Sequence, residues 1–362
     1  MRVLRINDRS PYQQIVGIGG IGTGLFFALE GNHTLGRNES RAGELLDVRD
    51  YCKLHIVLHY VAKLLAASPS GVPFRVVPIG IVGPDDAGRH LRREMTEAGM
   101  DVSWVRPHLH KPTLFSVCFQ YPGGEGGNIT TRNSAAAELS IADLDQIVPV
   151  LLASDSKRTM AIAIPEVPLE IRRHFLALAT DAGAFRAASY VSGEVAAART
   201  AGLFSLLDLV SVNETEAAEL VGLHFSPHSP QVFIDACLQF LRSEYPDLQM
   251  IVSAGKHGAY AFSRGTYRHS PAPEVKVAST AGAGDALLGG VLAGLACGIP
   301  LIGNSDKDCD VLKSALDLGV LVASFKCLSP HSIHPSISWD ALIRFASNHG
   351  YRFSRGSDRL RR

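Results

Sequence analysis

The stretch that decides the fold reads EVKVASTAGAGDALLGGVLAGLACGIPLIG and runs from Glu274 to Gly303. Val275 and Val277 alternate with a lysine, and this pattern predicts a short strand. Small residues from Ala281 to Gly284 then allow the backbone to turn tightly. The apolar residues that follow predict a helix that begins within the Gly-Ala-Gly-Asp segment.

The start of this helix has the chemistry of an anion site. The first amides of a helix lack partners within the helix and carry partial positive charge. We therefore expect Gly282, Ala283 and Gly284 to direct N–H groups at an anion, for which phosphate is the best candidate. Asp285 follows directly, and a carboxylate there can accept a hydroxyl proton while the amides stabilise the transferred phosphoryl group. Asp285 is thus predicted to be the general base of a phosphoryl transfer.

Two plainer interpretations of this stretch involve no site. A turn rich in glycine and alanine also lets a helix pack closely against a strand. The segment 286–303 contains no charged residue and is just long enough to span a membrane. Its five glycines and Pro300 instead favour a buried helix followed by an exit loop.

The segment STAGAGD, Ser279–Asp285, resembles the C-terminal signature D-T-x-G-A-G-D of the PfkB, or ribokinase-like, carbohydrate kinases. The resemblance implies a three-layer α/β fold with a mostly parallel central sheet and a small β lid. It also implies that Asp285 is the catalytic base, that residues 282–284 form the anion hole and that Thr280 lies at the ATP site. The first Asp of the signature is replaced by Ser279. Because that Asp often belongs to a loop that holds a monovalent cation, the substitution makes dependence on potassium doubtful.

The composition is that of a globular protein with a small-molecule partner. The chain of 362 residues is 46% hydrophobic, enough for one large α/β domain or two modest ones. Lys and Arg together number 35, as do Asp and Glu, so no overall basic charge favours nucleic acid or an anionic membrane. The six cysteines form no C-x-x-C pair, which favours reduced thiols. With no signal peptide at the start, this predicts a cytoplasmic protein.

A second glycine pattern near the start suggests a different class of protein. Gly17, Gly19 and Gly22 satisfy G-x-G-x-x-G, the fingerprint of dinucleotide-binding folds. A NAD(P)-dependent dehydrogenase is therefore an alternative. That fold requires a helix directly after the glycines and then a second strand ending in an acidic residue. Residues 25–30 are able to start a helix, but a Gly-Asn-His sequence stops it, and no apolar strand leads to Glu39.

The residues that should hold the phosphoryl acceptor differ from those of the family. Where the resembled kinases carry an Asn and an Asp that hold sugar hydroxyls, this chain has Gly22 and Gly24. Asn38 and Arg41 are candidate replacements, although a solvated loop explains them equally well. Glu166 follows a predicted strand end, where open α/β sheets bind ligands, and is a third candidate, although a solvated turn explains it equally well.

Two further motifs point to the nucleotide. Asn213 and Glu216 match the family's N-x-x-E motif, which implies that they position Mg²⁺, usually through water. Taken alone, the same residues form an ordinary helix N-cap. Ser253, Gly255 and Gly258 resemble the family's T-x-G-x-x-G phosphate loop, in which glycines permit close approach of the backbone to phosphate.

The order of elements predicts a single kinase domain. Helix-like and strand-like stretches alternate between residues 140 and 184, which indicates βαβ units and a parallel sheet. The resemblance implies one domain over residues 1–350, with lid segments within 25–50 and 111–132. The arginine-rich segment 351–362 is predicted to be a flexible basic tail.

These expectations define a function and its alternatives. The chain is predicted to transfer a phosphoryl group from ATP, with Mg²⁺, to a hydroxyl of a sugar or sugar-like molecule. A nucleoside kinase of the same fold and a nucleotide-binding relative without activity are alternatives. The expected partners are a small-molecule substrate and ATP, without nucleic acid or membrane, and a homodimer through the lid is a further expectation.

Overall fold

Two sheets organise the structure, a computed structural model that describes residues 4–123, 126–152, 156–303 and 311–353. The strands in chain order are β1 (Gln14–Ile18), β2 (Gly22–Leu29), β3 (Gly43–Tyr51), β4 (Arg75–Val82), β5 (Val105–Pro107), β6 (Leu114–Gln120), β7 (Gly126–Thr130), β8 (Thr159–Ala163), β9 (Phe185–Ser189), β10 (Leu209–Asn213), β11 (Gln249–Ser253), β12 (Ala259–Ser263), β13 (Thr266–Ser270), β14 (Val311–Leu312) and β15 (Arg352–Phe353).

Helices connect most of these strands. They are α1 (Lys53–Leu65), α2 (Asp86–Glu97), α3 (Ile141–Asp145), α4 (Val148–Leu152), α5 (Leu169–Asp181), α6 (Val195–Thr200), α7 (Glu214–Val221), α8 (Pro230–Glu244), α9 (Ala283–Ala296), α10 (Ala315–Lys326) and α11 (Trp339–Asn348).

The larger sheet has nine strands in the order β13-β12-β11-β10-β9-β8-β1-β4-β5. Every neighbouring pair is parallel except β11–β12 and β12–β13, which are antiparallel. Successive strand residues face opposite cores: Ile15 packs with α1, α9 and α10, whereas Val16 packs with α5 and α8. Because both faces are covered by helices, the central strands are largely apolar, whereas the edge strand β13 reads TYRHS and is mostly exposed. The predicted three-layer α/β fold with a mostly parallel sheet is confirmed.

The smaller sheet has four strands in the order β3-β2-β6-β7, and it corresponds to the predicted β lid. β2 pairs in parallel with β6, and the other two pairs are antiparallel. Its strands fall largely within the predicted segments 25–50 and 111–132, of which residues 124 and 125 lie outside the described part. One face carries Leu25, Leu45 and Ile129, which are exposed. The opposite face carries Asp50 and Cys118, which lie near the strand ends of the larger sheet.

Helix α9 owes its many glycines to close packing within the protein. A side chain added at Gly319 of α10 would lie 2.6 Å from Val291 Cγ2 and 2.7 Å from the Leu287 carbonyl oxygen. A Cβ on Gly290 would approach the Gly319 Cα to 2.9 Å. The glycines therefore let α9 and α10 meet at backbone distance. Within the described residues, no helix is both long and apolar enough to cross a membrane.

Some predicted elements differ from those observed. Val275 and Val277 form no strand: the segment before α9 has no regular secondary structure, and both residues line a cavity. Gly22 begins strand β2, not the helix that a dinucleotide fold requires. Arg352 and Phe353, at the start of the predicted flexible tail, pair with β14, and residues 354–362 lie outside the described part.

Candidate active site

The strands of the larger sheet direct several polar side chains to one edge. Glu166 follows β8, Asn213 ends β10 and Ser253 ends β11, so all three lie at carboxyl ends of parallel strands. The amino end of α9 approaches the same edge, and it brings Asp285 there. This edge is where open α/β sheets bind ligands.

Asp285 is buried and forms an ion pair with Lys53, the first residue of α1. The Lys53 Nζ lies 3.3 Å from Asp285 Oδ1 and 3.4 Å from Oδ2, so one ammonium group bridges both carboxylate oxygens. Burial raises the pKa of Asp285, and the Lys53 ammonium opposes that rise. The charge of Asp285 in turn raises the pKa of Lys53. The pair therefore keeps a buried carboxylate in a form that can accept a proton.

The turn before α9 has the geometry of an anion site. Gly282 adopts a left-handed conformation with φ of 77°, and a Cβ there would lie 2.6 Å from the Ser332 carbonyl oxygen. Only glycine fits such a position without strain. A Cβ on Gly284 would meet no protein atom within 4 Å, so the space beside it is open. The Ala283 amide already donates to the Thr280 carbonyl oxygen at 3.0 Å, whereas the next amides belong to the unpaired first turn.

A cavity of about 550 Å³ opens in front of this turn. Its polar wall contains the predicted nucleotide residues except Glu216, and its apolar wall comes largely from the segment before α9 and from α10. Among the residues that line it are Asn213, Ser253, Gly255, Gly258, Thr280, Ala283 and Gly284, together with Val275, Val277, Leu287, Val320 and Ala323. A cavity with phosphate-binding backbone at one end and aliphatic side chains at the other suits a nucleotide.

The loop after β11 is shaped by its two glycines. Gly255 has a φ of 52° and Gly258 a φ of 87°. A Cβ on Gly258 would collide with the Ser270 carbonyl oxygen, so this position excludes larger residues. Gly255 has open space around it, which leaves its backbone accessible from the cavity.

Asn213 and Glu216 form a reciprocal capping box at the start of α7. The Glu216 amide donates to Asn213 Oδ1 at 2.8 Å, and the Asn213 amide donates to Glu216 Oε2 at 3.0 Å. The hydrogen bonds of an ordinary helix N-cap are therefore present at this motif. Burial raises the pKa of Glu216, and the nearby charges of Lys53 and Asp285 act on it in opposite directions. The cap thus also lies within electrostatic reach of the ion pair.

Glu166 lies on the other side of the ion pair. Its backbone has a φ of 76°, which is rare for a residue with a side chain. Gly20 makes room for it, since a Cβ there would lie 2.7 Å from Glu166 Oε2. Burial raises the pKa of Glu166 to about 7, although Lys53 and the Cys52 thiol oppose the rise. Among the described residues its buried Oε2 atom has no hydrogen-bond partner, which is uncommon for a buried carboxylate oxygen.

The two glycines in place of the family's sugar-holding residues lie on β2. A side chain at Gly22 would overlap Leu114 of β6 and would lie 2.9 Å from the Cys52 sulfur. A Cβ on Gly24 would lie 2.9 Å from Asp50 Oδ2, which accepts a hydrogen bond from the Cys118 thiol at 3.2 Å. The space left by Gly24 is thus partly taken by the Asp50 carboxylate.

Asn38 and Arg41 lie in the loop between β2 and β3. Asn38 is exposed and has a φ of 59°. Arg41 donates to the His33 carbonyl oxygen at 2.7 Å and pairs with Glu39, and its guanidinium lies 5.9 Å from the Tyr121 ring centroid. These contacts stay within the lid, so the structure does not bring the two residues together with Asp285.

Sequence reasoning missed Lys53 and Asp50. Both lie in the stretch Asp50-Tyr51-Cys52-Lys53, which none of the sequence patterns above includes. The available signal was chemical: Lys53 is a charged residue at the start of an apolar helix, and Asp50 lies three residues before it. Their partners are distant along the chain, and Lys53 and Asp285 are separated by 232 positions.

Comparison with known proteins identifies the class. Residues 57–339 match the family described as pfkB family carbohydrate kinase, so the chain belongs to that family and is a sugar kinase. Neither this family nor the strand after Gly22 supports the dehydrogenase alternative.

Particular relatives agree with that class. A fructokinase of Klebsiella pneumoniae is 29% identical over 236 residues, which are 61% of this chain and 72% of the relative. Ribokinase of Cryptococcus neoformans in complex with ADP has a TM-score of 0.71 at 18% identity, over 91% of this chain and 99% of that one. Ribokinase of Arabidopsis thaliana, complexed with ribose and ATP, has a TM-score of 0.65 at 18% identity, over 93% and 99%. The two structural likenesses establish the fold.

The two glycines of the anion-site turn should respond differently to alanine. Gly284→Ala should leave the free energy of unfolding unchanged or raise it by up to about 1 kcal/mol, because alanine favours a helix. It should lower turnover, because the methyl group enters the space that a phosphate needs. Gly282→Ala should lower the free energy of unfolding by about 2 kcal/mol or more, because of its φ and the Ser332 contact. Denaturant unfolding and steady-state kinetics on both variants test this contrast, and equal stability losses would contradict it.

Replacing Lys53 should shift the pH dependence of turnover. A general base must be deprotonated to act, so the predicted role of Asp285 means that activity is lost as the pH falls through the pKa of Asp285. In Lys53→Gln the opposing ammonium is gone, the pKa of Asp285 rises further, and the acid limb should move up by about one pH unit or more. Lys63→Gln, about 15 Å further along α1, is the matched control. An acid limb that stays in place in Lys53→Gln would show that the pair does not set this pKa.

Proposed function

We propose that this sugar kinase transfers the γ-phosphoryl group of ATP to a hydroxyl of a sugar or sugar-like molecule, with Asp285 as general base. The observation that carries the proposal is the position of Asp285. Its buried carboxylate lies at the first turn of α9, with the nucleotide-sized cavity on one side and the polar groups of Asp50, Lys53 and Glu166 on the other. A base must lie between the two substrates of a direct transfer.

The proposed step follows from this placement. The acceptor hydroxyl gives its proton to an Asp285 oxygen, and the hydroxyl oxygen forms a bond to the γ-phosphorus. The bond between that phosphorus and the β–γ bridging oxygen breaks, and ADP leaves with the electron pair. The unpaired amides at the start of α9, those of Gly284 and Asp285, stabilise the negative charge on the transferring group. Lys53 stays beside Asp285 and balances its charge before the proton arrives.

The residues at the cavity fit a magnesium ion held largely by water. No three metal-ligating side chains in the described ranges are grouped tightly enough to hold an ion by themselves. Both Glu216 oxygens accept bonds from Asn213, and each retains a lone pair for a water ligand. Mg²⁺ commonly keeps several waters and binds nucleotide phosphates. When bound, it would neutralise phosphate charge, and Asn213 and Glu216 would hold its water shell.

The acceptor side favours a ligand with several hydroxyl groups. Asp50 and Glu166 supply carboxylate oxygens, and Lys53 supplies a donor, all near Asp285. Neighbouring hydroxyls of a sugar both donate and accept, so they match such a mixed set. Gly22, Gly24, Asn38 and Arg41 remain substrate candidates. Gly22 and Gly24 shape the wall of the acceptor side, and Asn38 and Arg41 lie in the lid loop between β2 and β3.

Asp285→Asn should abolish transfer and leave nucleotide binding intact. The amide has the shape of the carboxylate but accepts no proton, so kcat should fall by roughly 10²–10⁴-fold. ADP production measured across a panel of sugars, polyols and nucleosides gives the acceptor and the turnover, and ATP-induced thermal stabilisation with Mg²⁺ gives binding. Asp340→Asn at the start of α11 is the matched control. Retained turnover in Asp285→Asn would refute the assignment, and ATP binding without turnover of any acceptor would favour an inactive relative.

The exposed face of the lid favours a homodimer. Leu25 and Ile129 both lie beside Val117 in the register of β2, β6 and β7. Leu45, on β3, adds to the same face, and Leu45 and Ile129 are 54% and 69% exposed. An apolar sheet face of this kind marks an interaction surface. We propose that a second copy of the chain covers it.

Charges on that face should prevent association. The double variant Leu45→Glu, Ile129→Glu should elute as a monomer where the unaltered chain elutes as a dimer, because an interface would have to bury two carboxylates. Light scattering after size exclusion measures the mass. Leu109→Glu, at an exposed leucine outside the lid strands, is the control and should remain dimeric. A monomeric unaltered chain, or a dimeric double variant, would contradict the proposal.

A further inference from the structure

Lys326, the last residue of α10, is a buried cation behind the anion-site turn. Its residue exposure is 0%, and its Nζ donates to the Ser279 carbonyl oxygen at 2.9 Å. Among the described residues, no carboxylate oxygen lies within 4.0 Å of this ammonium. A buried lysine held by one carbonyl oxygen and no adjacent anion is unusual.

Burying this ammonium is costly, and its surroundings offset the cost only in part. Burial lowers the pKa of Lys326 to about 8, while Cys327, Asp50 and Asp285 act against that change. The negative end of α10 also favours a cation at this position. An apolar residue of similar size would avoid the penalty altogether. The retained charge therefore indicates a role beyond packing.

Lys326 and Cys327 contact the residues that directly precede the anion-site turn. The Ala278 and Ser279 amides donate to the Cys327 carbonyl oxygen at 2.8 and 3.4 Å, and so the end of α10 holds this segment by its backbone. The Lys326 ammonium adds a charged hydrogen bond to the Ser279 carbonyl. Three residues later Gly282 begins the turn in its left-handed conformation. A shift of Ser279 would therefore move the amides that receive the phosphoryl group.

Ser279 makes this arrangement distinctive. Its hydroxyl accepts a hydrogen bond from the Ala281 amide at 3.2 Å. The Ser279 side chain is neutral, whereas a carboxylate at this position would attract a free cation. The positive charge comes from the protein, and it lies near enough to Asp285 to oppose the rise of that residue's pKa.

We propose that Lys326 is a positioning residue that acts as a built-in cation behind the anion-site turn, so that this chain needs no added monovalent cation. The inference rests on the proposed function, because it concerns the geometry of the same phosphoryl transfer. It goes further by assigning the charge that holds the turn to a side chain.

Chemical rescue tests this proposal. The unaltered enzyme, assayed with tetramethylammonium as the only monovalent cation, should keep its kcat when KCl is added. Lys326→Ala should lose about 100-fold in kcat, since small misplacements of catalytic groups have effects of that size. Ammonium or methylammonium chloride should restore at least a tenth of the lost rate, because they enter the cavity that alanine leaves. Ammonium should not rescue Lys326→Met, because methionine fills the cavity without charge. Lys276→Ala, which alters an exposed lysine near Ser279, should behave as the unaltered enzyme.

Thermal unfolding gives a readout that needs no turnover. Lys326→Ala should be stabilised by ammonium relative to tetramethylammonium, and the unaltered chain should not. If the unaltered chain phosphorylates no acceptor, the proposed function fails, yet the ammonium effect on unfolding still decides this inference. Strong activation of the unaltered enzyme by KCl, full kcat in Lys326→Ala, or no ammonium-specific stabilisation of that variant would each overturn it.

The arginine variant keeps the charge and tests the role if alanine prevents folding. The titratable groups around Lys326 are Asp50 on β3, Asp285 on α9, Cys327 and His334. Burial and the Lys326 charge both lower the pKa of His334. The unaltered enzyme should lose kcat as the pH rises above about 8, where the ammonium deprotonates. Lys326→Arg should fold, keep measurable kcat and lose this alkaline limb, because guanidinium does not titrate there. An identical alkaline limb in the two proteins would contradict the proposal.

Discussion

A buried carboxylate at the amino end of a buried helix is the constraint on which the rest of the site depends. Asp285 pays a desolvation cost that Lys53 offsets from one side, and Lys326 contributes from further away. Each lysine is presented by a helix end: Lys53 begins α1, and Lys326 ends α10. The close glycine-mediated packing of α9 and α10 is what brings the second lysine behind the turn. The packing of the helices thus determines which charges surround Asp285.

The two halves of the site differ in how they are built. The nucleotide side consists mostly of backbone, with glycines at positions 255, 258, 282 and 284 and a capping box that orients α7. Backbone groups bind phosphate without regard to the acceptor. The acceptor side consists of side chains, chiefly Asp50, Lys53 and Glu166, which lie on the lid strand β3, on α1 and after β8. In the proposed assignment, specificity depends on how the lid strands meet the larger sheet.

Much of this arrangement was predictable from the sequence because it is local. The helix that starts in the Gly-Ala-Gly-Asp segment and the alternation of helices and strands between residues 140 and 184 follow from periodicity and turn residues, and the structure confirms both. Most of the residues predicted to hold the nucleotide line one cavity, because they lie in loops that follow parallel strands or precede α9; Glu216 is not among the lining residues. The two cations at Asp285 were not predictable, since each joins elements that are adjacent only in the folded chain. The alternation at Val275 and Val277 was misleading because these side chains line the cavity and pair with no strand.

A crystal structure with a non-hydrolysable ATP analogue, Mg²⁺ and the accepted sugar tests the central claim most directly. We expect the γ-phosphate at the first turn of α9 and an acceptor hydroxyl within about 2.6–3.2 Å of an Asp285 oxygen. We also expect the adenine to lie among the aliphatic residues of α10 and of the segment before α9. A γ-phosphate bound away from that turn, or an acceptor hydroxyl that faces a different side chain, would contradict it.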